Sequence, residues 1–129
     1  MILVDSSVWI EVLRERTTRE TELLERLSVD EGIAIADLCV FEVLQGMRPA
    51  ADFVKAHEML REFSIISVDG EAIAVAAARN AQFMRSKGFQ VTAVDCLLAT
   101  YCIVNGLRFL TADKDFGAFA THLGLDLVR

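Results

Sequence analysis

The sequence predicts an α/β chain: a three-layer fold with a mostly parallel sheet of four to five strands and helices on both faces. Two observations carry that expectation. Short apolar runs without alternation, MILV at the start and GIAIA at 32–36, read as strands covered on both sides, as parallel sheets require. Between such runs stand segments whose apolar residues recur at helical spacing, so strand and helix alternate.

Met1–Val4 is the first strand. Ser7–Arg14 reads as a short helix and Thr18–Val29 as another, with Leu23, Leu24 and Leu27 on one face between acids and arginines. Gly32–Ala36 is the second strand. Asp37 is placed to cap a helix running to Gly46, and Pro49, the only proline, opens the next, which ends near Phe63. Ser64–Val68 (SIISV) is a third strand. Glu71–Ser86 is an alanine-rich helix stopped at Gly88, and Thr92–Val104 a helix apolar on nearly every side, ended by Asn105 and Gly106. Leu107–Leu110 is the fourth strand, with Leu125–Val128 as a fifth.

At 129 residues the chain fits one domain, taken here as 1–129, and can bury a core without disulfides. Its hydrophobic share is 53% and exceeds the globular norm once glycine is added, which leaves apolar surface for a partner. The longest clean apolar run, AIAVAAA at 72–78, is too short to span a bilayer, and Asp5 interrupts any leader-like start, so the cytoplasm is the expected compartment. The net charge of −6 argues against a generic basic nucleic-acid coat, but a bound metal can invert the local field. Cys39, Cys96 and Cys102 form no CxxC pair and read as buried thiols; His57 and His122 stand apart in polar helical settings, which disfavours zinc.

Of four acids that stand out, three sit where a parallel sheet makes its ligand crevice, outside the carboxyl ends of its strands, and the fourth can lean into it. Asp5 follows the first strand, and Asp113 follows the fourth within LRFLTADKDFG. Asp95 lies in the first turn of TAVDCLLATYCIV, and Glu42 inside DLCVFEVLQG leans toward the same edge. Each has an ordinary structural account beside the chemical one. Asp5 and Asp113 are placed to cap the helical turns after them, Thr92-x-x-Asp95 matches a capping box, and Glu42 suits a helix boundary. Converged, such carboxylates repel by roughly 2–4 kcal/mol per close pair. No basic residue adjoins them except Lys114, which Asp115 offsets. A divalent cation relieves this, and an oxygen-only donor set selects Mg²⁺, with Mn²⁺ as substitute. Such an ion activates water against a phosphodiester, alone or as one of a pair.

The segments LVDSSVWIEVL, FEVLQGMRP, GFQVTAVDCLLAT and FLTADKDFG, in this order, resemble the PIN-domain family, and more narrowly the VapC-like toxins of toxin–antitoxin pairs. The resemblance spans essentially the whole chain. It implies a PIN-like fold and a Mg²⁺-dependent endoribonuclease with an RNA substrate, a VapB-like antitoxin partner and a homodimeric state. Carried over by position, Asp5, Glu42 (with Gly46 four residues on), Asp95 (with Ala99 four on) and Asp113 are the catalytic and metal-binding acids. Ser7 and Thr111 match supporting hydroxyl positions, and Asp115 matches a further acid ranked below Asp113. The resemblance further implies an antitoxin helix in an apolar groove, which Trp9, Val12, Leu13, Leu23 and Leu27 are placed to supply.

Three other readings are weaker. A receiver domain needs adjacent acids after the first strand and a lysine after the last, both missing here. A flap-DNA nuclease of the wider family is usually longer, and a binding scaffold has no need of four acids. Trp9 reads as core rather than a base-stacking platform. The basic turn Arg85–Gly88 reads as an ordinary helix end favoured by the macrodipole. The small-residue stretch Ala72–Ala81 suits packing within the chain first and a dimer seam second.

Overall fold

Ile2–Val4 form β1, and all three side chains are fully shielded from water. A strand so enclosed needs cover on both faces, and the intervening helices supply it. The computed structural model describes residues 1–129. After β1 come α1 (Ser6–Leu13), α2 (Arg19–Leu27), β2 (Ile33–Ala36), α3 (Asp37–Leu44), α4 (Ala50–Leu60) and β3 (Ser64–Ile66). Then follow α5 (Glu71–Ser86), α6 (Ala93–Asn105), β4 (Arg108–Leu110), a 3-10 turn at Lys114–Phe116, and α7 (Gly117–Leu123).

The four strands make one sheet in the order β3-β2-β1-β4, and every pairing is parallel. The register sets Ile2 opposite both Ile33 and Arg108, and Val4 opposite Leu110. All carboxyl ends therefore share one edge, with Asp5 at its centre. Helix α1 packs against α2 and α3, and α3 against α4; α5 packs against α6 and α7. Twenty-nine buried apolar residues form one contiguous core, all three cysteines among them as free thiols. No helix is long and apolar enough to cross a membrane.

Local chemistry explains the ends. Thr18 and Thr21 exchange side-chain bonds with each other's amides to start α2. Thr92 accepts from the Asp95 amide at 3.1 Å to start α6, and Gly106 closes that helix in the left-handed region at φ +64°.

Three elements differ from the sequence expectation. The run Ser64–Val68 predicts a five-residue strand, but the ladder stops at Ile66. The Val68 amide instead donates to the Asp37 carboxylate at 3.1 Å, which draws the chain out of the sheet. Asp37 itself is the first residue of α3 rather than its cap, which is Ala36. The fifth strand at Leu125–Val128 reduces to a single parallel bridge between Phe109 and Leu127. The Leu125 amide bonds back to the Phe119 carbonyl, tying that segment's start to α7 instead.

Trp9 is fully buried, donates its indole N–H to the Val4 carbonyl at 3.1 Å, and packs on Phe63 with ring centroids 4.7 Å apart. It is core, and no face of it is open to a base. Beside it runs a groove of about 420 Å³ lined by Val12, Leu24, Met59 and Phe63 as well as Trp9. Leu13, Leu23 and Leu27 pack inward instead of lining it. Along α5, Ala77 is buried while Val75 and Phe83 keep 47% and 40% of their surface exposed.

Trp9→Ala removes the largest fully buried side chain and one satisfied indole bond, so it is expected to lower stability by about 3–5 kcal/mol. His57→Ala, on an exposed helix position, is expected to stay within about 0.5 kcal/mol. Urea unfolding of both variants checks this; a Trp9→Ala loss no larger than that of His57→Ala is incompatible with the packing described.

Candidate active site

The site begins with a residue that ought not to be buried. Asp5 is 5% exposed, flanked by β1 and the first turn of α1. It holds the cap position of α1 yet makes no side-chain capping bond to it. Its Oδ2 accepts instead from two hydroxyls, Ser7 Oγ and Thr111 Oγ1, each at 2.8 Å. Those hydroxyls are held in turn, since Ser7 Oγ accepts from the Ala112 amide and Thr111 Oγ1 from the Asp113 amide, both at 3.0 Å. The backbone makes the same join, with the Asp5 amide donating to the Leu110 carbonyl at 2.9 Å. Oδ1 is left with one weak neighbour, the Cys39 thiol at 3.9 Å.

Glu42 arrives from α3, half-buried, and its Oε1 accepts from Ser6 Oγ at 3.2 Å. Ser6 and Ser7 thus divide the work. Consecutive helical residues point about 100° apart, so one serine addresses Glu42 and the next Asp5. Ligand atoms of Asp5, Cys39 and Glu42 all lie within 4.8 Å of one another. Asp95, half-buried in the first turn of α6, lies within electrostatic reach of Asp5, Asp113 and Glu42. Asp113 is exposed, and its Oδ1 accepts from the Asp115 amide at 2.9 Å, capping the 3-10 turn. Its structural account is therefore realised, with its second oxygen left over. Asp115 is exposed on the same turn, and Asp69, the acid after β3, is exposed too. The close-set ligand atoms belong to Asp5, Cys39 and Glu42, while Asp95 and Asp113 are joined to them by electrostatic influence and not by contact at that range.

No cation compensates this charge. The ion pairs of the structure are Arg16–Glu11, Arg19–Glu20 and Arg108–Glu31, none of which involves these acids. The consequence appears in the acidities. Burial raises Asp5 above the ordinary carboxylate range, Ser7 and Thr111 pull it back, and Asp113 adds to the rise. Burial likewise raises Glu42, against the Ser6 hydroxyl, with the charge of Asp5 raising it further. Asp95 is pushed up to about 6, by burial first and then by Asp5 and Asp113. Burial and the charge of Asp5 also raise the Cys39 thiol, which stays protonated and is no ordinary thiolate ligand.

Two contributors went unseen in the sequence. Ser6 falls just outside the expected helix Ser7–Arg14, and in the structure it is the first residue of α1. Cys39 read as inert core, although it stands one turn before Glu42 and so shares its face.

The sequence model of the PIN domain family matches residues 2–121. The ribonuclease VapC32 of Mycobacterium tuberculosis is 33% identical over 131 residues, covering 100% of this chain and 98% of the relative. Among solved structures, VapBC2 from Rickettsia felis bound to a DNA fragment from their promoter superposes at a TM-score of 0.82. It is 17% identical and covers 99% of this chain and 98% of that one. VapBC-5 of Mycobacterium tuberculosis, a member of the VapBC family of toxin–antitoxin systems, reaches 0.72 at 19% identity, covering 98% and 96%. At such identities the structural likeness carries the fold.

Asp95 ionises near its ordinary value when unfolded and near 6 when folded, so the native state binds the extra proton between those values. Its contribution is fully present below about pH 4 and lost as pH rises toward 6. In EDTA, Asp95→Asn is expected to exceed the parent in stability at pH 7 by about 1 kcal/mol, the shift being discounted for the water that reaches this half-buried group. At pH 4.5 the advantage shrinks. Urea midpoints at the two pH values test this, and an advantage that is absent at pH 7 or larger at pH 4.5 contradicts the charge crowding.

Proposed function

The chain belongs to the PIN domain family, and from that premise we propose that it is a divalent-metal-dependent endoribonuclease, the toxin of a toxin–antitoxin pair. The observation that supports it best is the uncompensated acidic cluster around Asp5. Three of its carboxyls stand above their ordinary acidity values and no basic side chain pairs with any of the four. That is an environment a hard cation relieves, so the donor set fits the metal that the family implies. Asp5, Glu42, Asp95 and Asp113 would hold it, and oxygen donors without histidine suit Mg²⁺ or Mn²⁺. The ion, when bound, supplies Lewis-acid stabilisation of a phosphodiester and a more acidic water.

The chain's own residues do the positioning. Ser7 and Thr111 saturate Asp5 Oδ2 and so fix the plane of the carboxylate, while Oδ1 faces the Cys39 thiol. Ser6 restrains Glu42 in the same way. Asp113 spends one oxygen on the turn and keeps one for the site. Sequence relatives called ribonucleases make RNA the substrate of this reading, and VapBC complexes make an antitoxin its partner. The groove beside Trp9 is a place for an antitoxin helix, and the exposed apolar face of α5 a place for a second copy of the chain.

Purified protein with total RNA and Mg²⁺ is expected to cut, and EDTA to stop it. Asp5→Asn is expected to lower the rate at least roughly a hundredfold. It also changes a readout independent of cutting. The parent gains about 2.7 kcal/mol of stability when Mg²⁺ or Mn²⁺ stands a hundredfold above its Kd, and Asp5→Asn gains little. A variant that cuts and is stabilised like the parent would refute the site. For the oligomer, Val75→Asp on α5 is expected to halve the mass seen by light scattering, and an unaltered dimer removes this helix from the seam.

A further inference from the structure

Beside the acids lies a cleft that the cutting chemistry does not require. It has a volume of about 590 Å³, within the range of small-molecule sites. The loop between α5 and α6 gives it Phe89 and Gln90, α7 gives Thr121 and His122, and the 3-10 turn gives Lys114. Asp95 forms part of its wall, so the cleft is continuous with the acidic cluster.

The chemistry of the lining is selective. Phe89 and His122 pack on each other with ring centroids 5.1 Å apart and planes tilted by 54°, and Phe89 keeps 36% of its surface open rather than joining the core. Flat ring faces accept a base of any kind by stacking. A glutamine amide and a threonine hydroxyl read base edges by hydrogen bonding, and an exposed lysine holds a phosphate. An apolar ligand would waste the amide and the lysine, and Lys114 is the one cation of the lining, set beside the acids Asp95 and Asp115. Ring face, edge-reading groups and a cation next to a phosphodiester site together describe a nucleotide.

We propose that this cleft takes one unpaired nucleotide of the substrate RNA beside the bond that is cut, its base against Phe89 and His122 and its phosphate at Lys114. The cleft thereby sets the base preference next to the cut. This rests on the ribonuclease reading above.

The test compares the parent with Phe89→Ala, Phe89→Leu, Phe89→Trp and His122→Ala, all at positions outside the core. On a single-stranded oligoribonucleotide with Mg²⁺, loss of the Phe89 ring by either Ala or Leu is expected to raise KM roughly 5- to 150-fold. kcat stays within about twofold, since ground-state and transition-state binding fall together. The base preference at mapped cut sites flattens, His122→Ala shifts in the same direction, and Phe89→Trp restores the parent pattern. If the parent cuts and Phe89→Ala keeps both its KM and its cut-site pattern, the subsite is overturned and the ribonuclease reading stands. If the parent fails to cut, that reading falls, and binding decides the subsite alone. An oligoribonucleotide carrying 2-aminopurine is quenched on stacking. Quenching by the parent that Phe89→Ala loses supports the cleft, and equal fluorescence with both proteins overturns it.

Discussion

The site depends on one unfavourable act, the burial of a carboxylate with no cation beside it. Taking a carboxylate out of water costs several kcal/mol even after relaxation. Asp5 recovers part of this from two hydroxyls on a single oxygen. Those hydroxyls are 104 residues apart in sequence and meet only because β1 and β4 pair in parallel. Each is also bonded to an amide of the loop after β4, so displacing Asp5 would loosen that loop and the acid it carries. Sheet register, hydroxyl placement and the position of Asp113 are thus parts of one arrangement.

The four acids are graded in depth, and the grading gives them different characters. Asp5 is buried and fixed by its partners. Glu42 and Asp95 are half-buried, each with one side toward water. Asp113 is exposed and shares itself with a turn. A cluster of this kind has a rigid floor and an adaptable rim. If the acids hold a cation as proposed, the floor would supply the fixed donor geometry and the rim the adjustable one. The protonated Cys39 thiol belongs to the floor as well. It fills space beside Asp5 Oδ1 with a polarisable group that adds no negative charge.

Much of this was legible in the sequence, for a physical reason. Parallel strands buried on both faces must be continuous apolar runs, so an acid straight after one stands out. MILV-D and FLTAD therefore announced the edge of the sheet where the acids collect. Contacts decided by a single competing bond stayed illegible. Nothing in SIISV says that the Val68 amide will leave the ladder for Asp37. Nothing in LGLDLV says that Leu125 will answer to α7 before the sheet. Ser6 stayed hidden because its bond to Glu42 joins α1 to α3 across 36 residues. Phe89 and His122 were hidden because a ring pair formed across a loop and a helix leaves no periodic trace, and His122 alone read as surface. The hydroxyls were placed by resemblance; their bonds are a property of the folded chain.

A chain with a net charge of −6 is a poor polyelectrolyte partner for RNA, because few cations are available to release counterions from the phosphates. Binding must then draw on terms that a negative surface does not cancel. A cation held by the acids, as proposed, would reverse the field at a phosphodiester, but only within about a Debye length. Stacking on ring faces needs no charge. The cleft at Phe89 lies against Asp95, so the two proposed terms would act on neighbouring nucleotides of one strand. On the proposals above, such an enzyme would hold RNA locally, by one phosphate and one base, rather than along a basic track. On that reading the acidic surface would work as a filter, repelling nucleic acid that cannot present an unpaired base beside an accessible phosphate.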